Sequence, residues 1–156
     1  RGQASMVDGL AAFFVFSLVL VGVLGLVGRL EAGQFNQNVH ADMQGKALQA
    51  LSRLTSTSGI PFNWEQSPST LETLGLAVKP FVLKKEKVDA FAGLDYNTAR
   101  AALGVEGYEF FFSLDGAQDY NIGLPLYATG QQAVVQSSVL FAGGTARATL
   151  YVYQVK

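Results

Sequence analysis

Catalysis in this chain would have to be built from one histidine, twelve acidic and eleven basic residues, because cysteine is absent. His40 is the single histidine, so any Ser-His-Asp relay would depend on it. It falls inside a helical pattern and reads as a polar helix residue. Without cysteine there is no thiol nucleophile, thiolate metal site or disulfide. Gly22, Gly25 and Gly28 repeat every third residue, but in an apolar run that lacks the lysine of a phosphate-binding loop. The acidic pairs Glu106/Glu109 and Asp115/Asp119 fall at turn or strand ends, and Asp115, Asp119 and Asn121 lack the repeated ligands of a calcium loop. Asn97-Thr98-Ala99 fails the glycosylation sequon at its third position. Lys84-Lys85-Glu86-Lys87 is the one basic cluster and reads as a solvated helix start rather than a phosphate site. A formal net charge of −1, with 15% of residues charged, provides no field for nucleic acid. The expectation is a protein that is not an enzyme and takes no cofactor, no metal and no nucleic acid.

What remains to explain is the stretch over residues 9–28, GLAAFFVFSLVLVGVLGLVG, which carries no charge. It has the length an α-helix needs to cross a bilayer. A helix apolar all round must be surrounded by lipid or by other apolar helices. A secretory signal peptide would end in a small-residue cleavage site, and residues 28–32 offer none. Beyond Arg29 the apolar positions thin to a stripe, Val39, Met43, Ala47, Ala50, Leu51 and Leu54, with polar residues between. Glycine and proline near Gly59 and Pro61 supply a stop. The spacing predicts one helix over about 4–56, roughly 80 Å at 1.5 Å per residue. Its apolar front half assembles and its striped back half packs on a head. Gly22, Gly25 and Gly28 would form a smooth strip for close helix packing.

The remaining hundred or so residues suffice for one compact domain, giving an expected division into 1–58, the assembly or transmembrane helix, and 59–156, the head. In the head, residues 83–91 read as a short helix, and Asp95 caps a second over 96–103 that Gly104 ends. Trp64 reads as a plug beneath an irregular loop. After Gly107 the period becomes two: Tyr108, Phe110, Phe112 and Leu114 face one way, and further strands cover 133–141 and 145–155, joined across Gly143-Gly144. The expected fold class is α+β: a long N-terminal helix packed on an antiparallel β-meander. Phe111, Tyr151 and Tyr153 would then point away from the helix.

The order of parts resembles the type IV pilin superfamily, and in particular archaeal pilin-like proteins with a class III signal peptide. It comprises Arg1-Gly2-Gln3, an acidic residue at Asp8, twenty apolar residues, an amphipathic continuation and a β-rich head. Phrases of the head, such as Leu94-Asp95-Tyr96 and Gly107-Tyr108-Glu109-Phe110, are similar to that group. The resemblance implies cleavage by a prepilin peptidase between Gly2 and Gln3, an assembly ATPase with its membrane platform as partner, and copies of the chain as the main partner. It departs at Asp8, sixth after the implied cut where bacterial pilins have glutamate fifth. The implied function is a structural subunit of a cell-surface, extracellular filament, held in the cytoplasmic membrane before assembly through Asp8, Phe13, Phe14, Phe16, Leu18, Leu20, Gly22, Leu24, Gly25, Leu26 and Gly28. Val39, Met43, Ala47, Leu51 and Leu54 would pack the head on the stalk. The competing reading is a low-copy pilin-like or membrane-anchored protein whose head binds or adheres.

Overall fold

The computed structural model describes residues 3–126 and 130–154; within its first helix, side chains are described for 13–23 and from Val39 onward. The chain forms α1 (Gln3–Ser56), two 3-10 turns (Trp64–Gln66 and Pro68–Thr70), β1 (Ala77–Lys79), β2 (Val82–Leu83), α2 (Lys85–Ala92) and α3 (Tyr96–Leu103). There follow β3 (Glu109–Asp115), β4 (Tyr120–Gly123), β5 (Gln132–Phe141) and β6 (Gly144–Tyr153). It divides into two compact units, Arg1–Val39 and His40–Lys156, and α1 takes part in both.

The second unit is built on a six-stranded sheet in the order β1-β2-β5-β6-β3-β4. Neighbours are antiparallel except β2 and β5, which run parallel where Val82 meets Leu140. One face is largely apolar because the registers align the inward residues: Phe110, Phe112 and Leu114 lie opposite Val152, Leu150 and Ala148, and Val152 and Leu150 in turn face Ala133 and Val135 of β5. All of these are buried. Met43, Ala47, Ala50, Leu51 and Leu54 recur at helical spacing and are buried as well, as are Val88 and Phe91 of α2 and Ala99, Ala102 and Leu103 of α3. Phe91 packs on Phe110 and Phe112 with ring centroids 6.3 and 5.7 Å away.

The expected architecture is corrected. The sheet is mixed, not an antiparallel meander in series. The meander expectation assumed that successive strands pair. Here β3 pairs with β4 on one side, over four positions, and with β6 on the other, over seven pairs that match Phe110, Phe112 and Leu114 with Val152, Leu150 and Ala148, while β4 and the short β1–β2 pair are left at the edges. Of α1, the part over 40–56 belongs to the second unit and enters its core through Met43, Ala47, Ala50, Leu51 and Leu54. In the first unit, the apolar stretch whose side chains are described spans 11 residues, 13–23. Among the described residues no helix is long and apolar enough to cross a membrane.

Local chemistry explains where elements stop. The last carbonyls of α1 have no partner within the helix. Those of Leu54 and Thr55 accept from the N–H groups of Leu76 and Phe81, and the Thr57 carbonyl just beyond accepts from Ala77 N–H. Gly59 (φ 85°) and Gly75 then cross so closely that a Cβ on Gly75 would stand 2.3 Å from Gly59 N. Trp64 is fully buried under this crossing and donates from Nε1 to the Gly75 carbonyl at 2.9 Å. Asp95 caps α3 by accepting from Thr98 N–H, and Gly104 ends it in the left-handed region. The β5–β6 hairpin turns on Ala142 and Gly143, both at positive φ, one residue earlier than the expected Gly143-Gly144. That pair of angles is the two-residue turn whose twist matches the flanking strands.

Candidate assembly surface

Residues 13–23, FFVFSLVLVGV, are helical and apolar on every side. At 100° per residue they pass three times round the axis, so no polar face exists to meet water. Phe13, Phe14, Phe16, Leu18 and Leu20, with four valines among them, expose between 48% and 72% of their surface. Scattered exposed leucines are ordinary. A contiguous run of this kind marks an interaction surface. At Gly22 a Cβ would meet nothing within 4 Å. Gly2 lies outside the described residues, and so do the side chains of Gln3, Asp8, Leu24 and Leu26 and the surroundings of Gly25 and Gly28.

The residues assigned to head packing lie elsewhere. Met43, Ala47, Leu51 and Leu54 are in the core of the second unit, and Val39 is half-buried at the end of the first.

The polar candidates have structural employment. His40 is exposed on α1. Asp115 accepts from Ser113 Oγ, and Asp119 accepts from Gly116 N–H. Among the described residues no group of three histidine or acidic side chains is placed to hold a metal.

Three tyrosine–carboxylate–cation sets fasten the helices of the second unit to its sheet, and none was legible as a set in the sequence. Tyr108 donates to Asp42 at 2.8 Å, while Lys46 pairs with Asp42 at 3.4 Å and lies over the Tyr108 ring. Tyr120 donates to Asp89 at 2.5 Å, with Lys85 pairing Asp89 at 3.2 Å over the Tyr120 ring. Tyr96 donates to Glu109, which Arg100 pairs at 3.1 Å while lying over the Tyr96 ring. The tyrosine bonds hold the Asp42 and Asp89 carboxyls below the ordinary carboxylate value. Burial, and then the bond to Glu109, push the Tyr96 hydroxyl well above its ordinary value. Only the i,i+4 pairings Asp42/Lys46 and Lys85/Asp89 leave a trace in the sequence.

Lys87 overturns the reading of residues 84–87 as a solvated helix start. It is 1% exposed and donates to the carbonyls of Ser58 and Phe62, each at 2.6 Å. Its ammonium stands 3.1 Å from Glu65 Oε2, close enough for an ion pair although not aligned as a hydrogen bond. Lys84 bonds the other oxygen at 2.7 Å. Burial pushes the Glu65 carboxyl up, but the hydrogen bond from Lys84, a backbone bond and the nearby Lys87 charge outweigh it and hold the group at about 2. The network ties the loop after α1 to α2.

Comparison with protein-family models, with curated proteins and with solved structures finds no match to this chain.

Proposed function

We propose that this chain is a structural subunit of an extracellular, type IV pilus-like filament, assembled by packing its apolar helical surface against copies of itself. The observation that carries the reading is the helix over 13–23 with no polar side. Burying one leucine-sized side chain is worth about 2 kcal/mol, so the nine large apolar residues of this stretch carry on the order of 15–20 kcal/mol of gross drive toward any apolar neighbour. Copies of the same helix supply that neighbour, and contacts repeated head to tail continue into an open helical fibre. Lipid covers the surface before assembly. A prepilin peptidase and an assembly ATPase are the partners that the resemblance of the N-terminal residues brings with it. No cofactor, metal or nucleic acid enters the proposal.

The test is negative-stain microscopy with mass spectrometry of material sheared from the surface of cells producing the chain. Filaments made largely of this protein, and lost with Phe16→Asp, support the proposal. Filaments in which the chain is present only in trace, or that persist unchanged with Phe16→Asp, overturn it in favour of a low-copy binding protein.

A further inference from the structure

The longest strand edge of the sheet is open. β5 pairs with β6 along all ten residues, whereas β2 meets its other side only at Leu140. Leu140 N–H donates to the Phe81 carbonyl at 2.7 Å, which fixes the parity of the strand. In an antiparallel ladder alternate residues turn their backbone groups to opposite sides, so Gln132, Val134, Gln136 and Ser138 direct theirs away from β6. Among the described residues no backbone group meets them.

Edges are normally blunted by lysine, proline, a bulge or extreme shortness. β1 has three residues and an irregular register, and β4 has four and ends on Gly123 at φ 109°. Residues 132–138 read QAVVQSS, with none of these devices. Beside this edge a groove of about 180 Å³ runs between α1 and β5, with Leu48, Leu51, Phe81 and Ser137 in its walls. Leu48 and Phe81 are about half exposed, and Phe81 holds φ 64°, a conformation that bulky L-residues rarely adopt. Strain of that kind is kept where surrounding structure or a contact gains from it.

The geometry points to a second copy of this chain as the occupant, its β5 edge lying antiparallel to this one about a two-fold axis through Val135. In that register Val134 stands opposite Gln136 of the second copy and Gln132 opposite Ser138 of the second copy, each pair exchanging backbone hydrogen bonds. Val135 faces itself across the axis. A two-fold contact brings each side chain near its own image, so any charge would meet a like charge. Residues 132–138 carry none, and a charged peptide would find no counter-charge on them. The added strand would also cover Leu48 and Phe81. The contact uses no residue of the 13–23 helix, so it stands or falls separately from the filament proposal. If that proposal holds, a contact that closes on two copies joins chains of neighbouring stacks.

The experiment uses the full chain in non-ionic detergent micelles, which shield the apolar helix. Gln136→Cys carries a nitroxide spin label; the chain has no other cysteine. In the paired register the two labelled positions are diagonal neighbours, with Cβ atoms about 7–8 Å apart. Strong dipolar broadening is expected, lost when Val134→Lys is added to bring like charges together and lost again with Ser138→Pro, which removes one outward N–H without touching the β6 ladder. Circular dichroism confirms that each variant is folded. A narrow spectrum at position 136, broadening that survives both folded variants, or equal broadening from a label at Gln118→Cys on the far side of the sheet overturns the proposal.

Discussion

Replacing Lys87 with methionine removes a cation that two carbonyls and a carboxylate share in the interior. The variant removes the ammonium that lies over the Trp64 and Phe62 rings, strands the Ser58 and Phe62 carbonyls and leaves Glu65 with the Lys84 ion pair. Removing one member of a buried ion pair costs about 3–5 kcal/mol, because the other charge stays desolvated. That is a large part of the 5–15 kcal/mol typical of a domain. At about 3–4 °C per kcal/mol for a unit of this size, the midpoint should fall by roughly 10–20 °C. Glu65→Gln keeps an acceptor for Lys84 but leaves the buried Lys87 cation without its counter-charge, so it should cost a comparable amount, and the two changes together should cost at least about 1 kcal/mol less than their sum. The same network sets a pH dependence. The Glu65 carboxyl lies at about 2 when folded and ordinarily at 4.5, so its contribution is fully present above 4.5 and is lost as pH falls toward 2. The full difference corresponds to about 3 kcal/mol, which partial exposure of Lys84 reduces to roughly 1–2 kcal/mol. Urea unfolding of the full chain in non-ionic micelles, followed by circular dichroism between pH 6 and 2.5, measures all of these. A Lys87→Met protein within about 1 kcal/mol of the parent, or additive single changes, would refute the reasoning.

Three further outcomes follow from single positions. Ala142→Asn should stabilise by about 0.5–1 kcal/mol, since Asn-Gly suits two positive φ angles better than Ala-Gly; an unchanged or lower urea midpoint counts against the turn assignment. Gly75→Ala should destabilise by about 1–3 kcal/mol, because its Cβ would collide with the backbone of Gly59 and Thr57; an unfolding midpoint equal to the parent's would show that the crossing is loose. Asp95→Ala should cost about 1 kcal/mol through the lost cap on Thr98 N–H, whereas Asp95→Asn should recover most of it in the same assay.

The sequence shows local structure where one residue type has one physical use. Asp95 and Gly104 bracket α3, Trp64 plugs its loop, and the alternation over 109–115 marks a strand. The assembly of those pieces was not legible. Nothing in residues 109–115 says that they pair with 147–153 rather than with the next strand only, and two residues of β2 are too few for any periodic signal. Lys87 was misread because residues 84–87 look uniformly basic, while burial depends on the carbonyls of Ser58 and Phe62, more than twenty positions away. Tyr153, expected on the outer face, is buried with its hydroxyl donating to the carbonyls of Leu124 and Pro125. Phe111 and Tyr151 remain half-buried there, their ring centroids 5.9 Å apart. The apolar stretch announces that it needs neighbours, but composition does not name them.

The most direct measurement is the reactivity of a single cysteine at Leu18→Cys in surface material kept free of detergent. With the apolar helices packed against one another, a water-soluble maleimide should fail to label it in assembled filaments and should label it once the filaments are dissolved, with oxidation linking cysteines of different chains. Rapid labelling in intact filaments, or protection inside a water-soluble particle of one chain's mass, would contradict it.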